Sequence, residues 1–347
     1  SVTFKNKADL VNIINRVTGG NISNIDGLIK SQGNANLFLI NPSGIIFGEN
    51  SRLDIGGSFF GSTAESLLFE DGFNYSAIVS EQVPLLTVSA PVGLQMGRNS
   101  AGIEVNGSGY SLNRLSDLAL VVDSNSNLQV KPGNTLALVG GNINMTGSRI
   151  STSSGKIELG SVAEGIVNLN STPVGWEFNY KKASEFGDIK LDRAIVEAIA
   201  FGGGSINLQA RNISLENLSR VIIQNQGFQA SGGININATE SLEIIELNPA
   251  QLNNSEIRAE SGFSPVGDIS ISTKRLILSG GQGIRSFNSI TPGSNIIIDA
   301  SESIKIKSFN RLNSDFNTAI DTATFTTAKA GDINISTDNL IIAIGGR

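Results

Sequence analysis

Cysteine and histidine are both absent from the 347 residues. Without histidine there is no Ser–His–Asp triad, no His-ligated metal and no imidazole acid or base. Without cysteine there is no disulfide, no thiol nucleophile and no Cys-ligated zinc or iron–sulfur centre. A chain free of thiols is compatible with crossing an oxidising compartment without mispairing. Aromatic residues make up 6%, charged residues 16% and hydrophobic residues 39%, a composition that favours many short strands joined by tight turns. Basic residues are the minority charge, 25 against 31 acidic ones for a net charge of −6, which argues against a nucleic-acid binder, since that needs a basic face. No apolar run approaches the ~18 residues of a membrane-spanning helix. The opening SVTFKNKADL lacks the basic and apolar regions of a signal peptide, so either none exists or this is a processed or trimmed piece.

What the chain does have is glycine, 39 residues of it, and a repeated phrase. Gly204 opens GSINLQA, Gly233 GININA, Gly267 GDISIST, Gly293 GSNIIIDA and Gly331 GDINIST. The first apolar anchors, Ile206, Ile234, Ile269, Ile296 and Ile333, lie 28, 35, 27 and 37 residues apart. A constant phrase at irregular spacing marks one structural unit carrying loop insertions of variable length. A fainter copy, GNINMTG, begins at Gly141.

Within each unit the strand signals come in threes. Ile206 and Leu208 are followed by Ile213 and Leu215, then by Val221 to Ile223; the units of Ile234 and Ile269 repeat the pattern. Each run has period two and is bounded by Gly, Asn, Ser or Thr. These observations predict an all-β chain, a right-handed parallel β-helix with three short strands per coil, stacked about 4.8 Å apart so that inward Ile, Leu and Val form columns along the axis. A β-sandwich also has short strands and turn signals, but it does not reproduce one glycine-led phrase five times.

The N-terminal third differs. In ADLVNIINRVTGG, Leu10, Ile13, Ile14 and Val17 stand at helical spacing, with Asp9 placed to cap and Gly19 and Gly20 as a stop; this predicts a short N-terminal helix. Together with other capping elements it would cover the open strand edges of the first coil. The stretch 65–88 is richer in Phe and less regular, an excursion from the coil. The end, DNLIIAIGGR, stops in mid-repeat, and the expectation is that the native protein continues.

LFLINPSGIIFGENSRLDIGGSFFGSTA, residues 37–64, resembles the N-terminal secretion domain of filamentous-haemagglutinin-type exoproteins, the passengers of two-partner secretion. The family marker NPNGI stands here as Asn41-Pro42-Ser43-Gly44-Ile45, with Ser43 in place of the second Asn. A weaker counterpart of the family's NPNL marker is Asn6 to Leu10, which keeps the Asn and the Leu. The resemblance is close over residues 4 to about 97, is greatest to versions from cyanobacterial exoproteins, and beyond 97 rests on repetitive character. Domains of this kind begin some tens of residues before the point matching Ser1.

The resemblance implies a function without chemistry. The exoprotein reaches the periplasm by the general secretory route, its N-terminal domain is recognised by periplasmic domains of a dedicated outer-membrane β-barrel transporter, and the chain folds as it emerges at the cell surface. On this view residues 1–97 form the secretion domain with its cap and first coils, and 98–347 continue as a stalk with an adhesion or surface-display role. No enzyme activity, cofactor or metal is expected, and no nucleic-acid partner or transmembrane segment.

The alternative is an extracellular polysaccharide-binding or polysaccharide-cleaving β-helix protein. Glu177, Glu185, Asp188 and Asp192, near Lys181, Lys182, Lys190 and Arg193, lie in an apparent loop, 174–201; mixed charges there read as a solvated rim. Trp176, Phe178 and Tyr180 alternate at strand spacing and are candidates for a glycan-stacking face, or else a cover for an exposed coil edge.

Overall fold

In the computed structural model, residues 1–347 are described except 8, 79–88, 117–118, 126, 203, 247–254, 282, 309–317 and 344–347. Among the described residues there are strands and turns and no helix. Strands pair in parallel with their equivalents one coil away, the defining relation of a parallel β-helix. No helix is long and apolar enough to cross a membrane among the described residues.

The glycine-led phrases stack in register. Ile206 pairs with Ile234, Ile234 with Ile269, Ile269 with Ile296 and Ile296 with Ile333. The column continues toward the N-terminus through Ile157, Leu136, Phe59 and Leu37 to Ile13. The first two strand signals of each unit fuse into one strand that turns a corner. Ser205–Glu216, Ile234–Ile245, Ile269–Ser279 and Ile296–Lys307 each carry a register irregularity at their midpoint. The third signal is a separate strand, and Ile150, Val196, Val221, Ile257, Ile284 and Ile320 form its column.

The GNINMTG phrase does not belong with the other five. Ile143 pairs with Ile103 and Ile189, and Ile189 with Ile213, so it lies on the second face of the coil. Its likeness to the other phrases is one of composition; the register assigns it one corner further on.

The inward columns form the main core, with Ile157, Ile206, Ile234, Ile257 and Ile269 fully inaccessible. Each such side chain contributes about 1.5–3 kcal/mol by leaving water, repeated coil after coil with nearest-neighbour contacts only.

Residues 12–16 are a strand, not the predicted helix. Asn12–Arg16 pairs in parallel with Asn36–Ile40. Ile13 packs on the coil interior, while Ile14 packs on a second apolar cluster outside it. A strand covered on both faces loses its alternation, and here the resulting apolar pair imitates helical spacing.

That second cluster lies under an antiparallel flap. Asn74–Ser76, Ser66–Phe69, Pro91–Met96, the far half of Lys156–Thr172, and Gly175–Phe186 pair in that order. The predicted excursion at 65–88 is its first hairpin; residues 79–88 lie outside the described residues. The flap covers the outward face of the coils around Phe38 and Phe60, whose rings stack at 4.1 Å between centroids. A second hairpin, Ser111–Ser116 with Ala119–Asp123, covers the third face through Leu120 and Val122.

Candidate functional site

The turn Asn41–Ile45 joins the strands Asn36–Ile40 and Ile45–Phe47. Pro42 fixes its own φ and keeps Asn41 out of the helical region. The Asn41 carbonyl accepts the Gly44 N–H at 3.1 Å, closing a four-residue turn. Gly44 has φ of +118°, a conformation that side-chain-bearing residues rarely take.

The Asn41 side chain is wholly buried and uses all of its hydrogen-bonding directions save one lone pair. Its Oδ1 accepts the Ser43 N–H at 2.9 Å, an Asx turn that fixes the motif internally. Its Nδ2 donates to the Asn21 carbonyl at 2.9 Å and to Ser23 Oγ at 2.8 Å, both on the coil before. Its backbone N–H donates to the Ser62 carbonyl on the coil after. Asn41 thus ties three successive coils together at one corner, and Ile45 inserts into the core next to Ile103.

Asn6 does similar work at the start of the chain. Its Nδ2 donates to the Gln32 carbonyl at 2.8 Å and its Oδ1 accepts the Gln32 N–H at 3.0 Å, so the side chain mimics a strand pairing with the next coil. Leu10 is exposed and closes the adjoining turn through its N–H to the Lys7 carbonyl. The two motifs lie on different turns, and both asparagines act by bonding the backbone of a neighbouring coil.

Trp176, Phe178 and Tyr180 lie on Gly175–Phe186, a strand of the flap and not a loop. Trp176 is 5% exposed, edge-on to Phe60 at 5.0 Å and to Phe38 at 5.7 Å. Trp176 is therefore not free to stack on a ligand: alternation places the three rings on one side of a strand, and Trp176 itself enters the second core. Phe178 and Tyr180 are half-buried at its margin. Nor do the acids of 174–201 converge. Against the upward push of burial, Arg211 and Asn212 hold the Asp188 carboxyl low. Asp192 accepts from Asn217, and Glu177 is exposed.

One group escapes sequence reasoning. Glu158 is 4% exposed, and its Oε1 accepts the Tyr180 hydroxyl at 2.6 Å while Oε2 accepts Asn207 Nδ2 at 3.1 Å. Burial pushes its carboxyl up to about 7, against the opposing pull of those two bonds and the Lys156 charge. Burial and the Glu158 carboxylate in turn raise Tyr180. The only sequence signal is an acid inside the apolar phrase KIELGSV, whose meaning depends on knowing its register.

These features define a β-helical solenoid whose early turns are tied to neighbouring coils by asparagine side chains, Asn41 buried and Asn6 at the surface, and whose first coils are clad by an antiparallel flap, with no convergent catalytic constellation among the described residues. The model of the TPS secretion domain matches residues 1–208, more than half of the chain, and the chain belongs to that family: it carries the N-terminal secretion domain of a two-partner secretion exoprotein. It is therefore a secreted protein, exported through the outer membrane by its partner transporter to the cell surface or the medium. The matched domain serves secretion recognition, not catalysis. Among solved structures, the secretion domain of HMW1 from Haemophilus influenzae is similar at 14% identity and a TM-score of 0.35, over 98% of this chain and 88% of that one. No curated protein matches the chain.

Proposed function

We propose that the transporter engages Asn41–Ile45 before the coil closes, and that the folded product serves in adhesion or surface display. The observation that supports this reading is the burial of Asn41. A side chain with no accessible surface offers nothing to a partner once folded, whereas in an extended chain its amide and the Pro42 ring are free. Folding then consumes the signal: the amide turns to Asn21 and Ser23, and release from the transporter is coupled to growth of the solenoid, each coil templating the next. In this reading the recognition determinants lie in residues 1–97, with Asn6 and Leu10 as the second element, and residues 98–347 continue the stalk.

The test is binding of the transporter's purified periplasmic domains to this chain, either folded or freshly diluted from denaturant. The expected result is capture of the refolding chain that decays as folding completes, and weaker capture of Asn41→Ala. Equal capture of folded and unfolded chain, with no effect of the substitution, contradicts it.

A further inference from the structure

Two outward columns run along the first face of the coils, and both change character at the same place. One reads Phe38, Phe60, Ala137, Glu158, Asn207, Asn235, Ser270. Its neighbour reads Val139, Gly160, Gln209, Asn237, Ser272, Asp299. The early, apolar members are covered by the flap. From Glu158 the flap stops and the columns are polar as far as Ser270 and Asp299, with Ile297 following Ser270 as an exposed apolar member. Its last strand, Gly175–Phe186, stands beside them as a wall bearing Phe178 and Tyr180, and the angle between wall and floor is a groove of about 470 Å³.

We propose that this groove binds a neutral oligosaccharide, lying along the solenoid axis with ring faces against Phe178 and Tyr180 and hydroxyls on the amide ladder. The floor spans four coil steps from Glu158 to Asp299, about 19 Å at ~4.8 Å per step, which is room for a short run of sugar rings.

Three observations carry the assignment. The groove's volume is that of a small-ligand site, with an apolar wall and a few placed polar groups. The polar groups are of the amide and hydroxyl type that both donate and accept, as sugar hydroxyls require. They are also oriented: Asn235 Nδ2 donates to Asn207 Oδ1 at 3.0 Å, Asn207 Nδ2 donates to Glu158, and the Tyr180 hydroxyl donates to Glu158 from the wall. Gly160 makes this possible, because a Cβ there would sit 2.3 Å from the Tyr180 hydroxyl oxygen.

The charge of the groove decides the kind of sugar. Its ionisable carboxyls are Glu158 and Asp299, and among the described residues no basic side chain lines it, so a sulfated or uronic-acid chain is disfavoured and a neutral one is not. A peptide adding to the edge of Gly175–Phe186 is the competing occupant. Lys181, Lys182 and Glu185 along that strand oppose strand addition.

The experiment is titration of the folded chain with cellotetraose, maltotetraose, mannotetraose and N-acetylated chitotetraose, and with a heparin tetrasaccharide as the charged control, read by calorimetry and ligand-observed NMR. Asn237→Ala/Ser272→Ala, at exposed floor positions outside the Glu158 bond chain, serves as the fold-neutral variant, checked by circular dichroism. The expected result is saturable binding of a neutral tetrasaccharide, weakened about tenfold or more in the variant as hydroxyl partners are lost. No binding by any neutral tetrasaccharide up to about 10 mM, where even a millimolar site is largely filled, overturns the proposal. So does unchanged binding in the variant, or tighter binding of the heparin control. Because the assay contains no transporter, its outcome is independent of the recognition reading.

Discussion

The side-chain amide of Asn41 donates to Ser23 Oγ at 2.8 Å from one coil to the one before it. The donor is fully buried and the bond partly so, and the same amide also holds the Asn21 carbonyl. Asn41→Ala leaves both acceptors and the Ser43 N–H without their partner. The expected loss is about 1–3 kcal/mol, the range for losing several part-buried hydrogen bonds at once. Ser23→Ala removes one bond from the far side and leaves the NPSGI sequence intact, at an expected cost of about 1 kcal/mol. Urea unfolding of the two variants, compared at equal m-value, checks the order.

Gly44 makes a separate prediction. Its φ is +118°, and a Cβ added there would lie 3.4 Å from the Gly102 carbonyl oxygen, so strain rather than lack of space limits substitution. Gly44→Ala is expected to destabilise the chain by about 1–3 kcal/mol, while Ser43→Asn, which restores the family's residue at a half-buried site, leaves the unfolding midpoint nearly unchanged.

The flap is held by Phe60, which stacks on Phe38 and meets Trp176 edge-on. Phe60→Ala removes about 3–5 kcal/mol of packing. Because a solenoid loses structure locally, the expected readout is detachment of the flap before the coils. Trp176 is the single tryptophan, so its emission shifts to the red in the variant, and limited proteolysis cuts first within 156–186. Unchanged emission and protection contradict the packing role.

Glu158 sets a pH dependence of known sign. Its folded value of about 7 lies above the ordinary 4.5, so the folded chain binds the proton more tightly than the unfolded one. Its contribution to stability is fully present below about 4.5 and is lost as pH rises through about 7, by roughly 3 kcal/mol in total. Asp188, whose carboxyl is held low, acts in the opposite direction at acid pH. The difference between the native chain and Glu158→Gln isolates the Glu158 share: it should change between about pH 4.5 and 7.5 and be flat outside that window. A flat difference throughout contradicts the burial argument.

Much of this architecture is legible because a β-helix writes its register into its sequence. The anchors Ile206, Ile234, Ile269, Ile296 and Ile333 are direct partners, and the glycine before each marks the corner. Sequence and structure part where a strand has two covered faces. Ile13 and Ile14 point to different cores, and that doubled burial has the look of a helix. Trp176 alternates with Phe178 and Tyr180 inside a stretch that reads as a loop and proves to be a strand, and alternation cannot say which face a second layer will cover. Glu158 is illegible for the related reason that an outward acid becomes special only beside Ala137 and Asn207, its neighbours one coil away.

Transporter-dependent export is the most direct test. The chain would be directed to the periplasm of a Gram-negative host, with and without its partner transporter, as the native sequence, Asn41→Ala and Ser23→Ala. Native chain is expected in the medium only when the transporter is present. Export is expected to be lost in Asn41→Ala and kept in Ser23→Ala, which retains the signal and weakens only the folded bond. Equal release with and without the transporter, or export of Asn41→Ala at the native level, would contradict recognition through the Asn41–Ile45 turn.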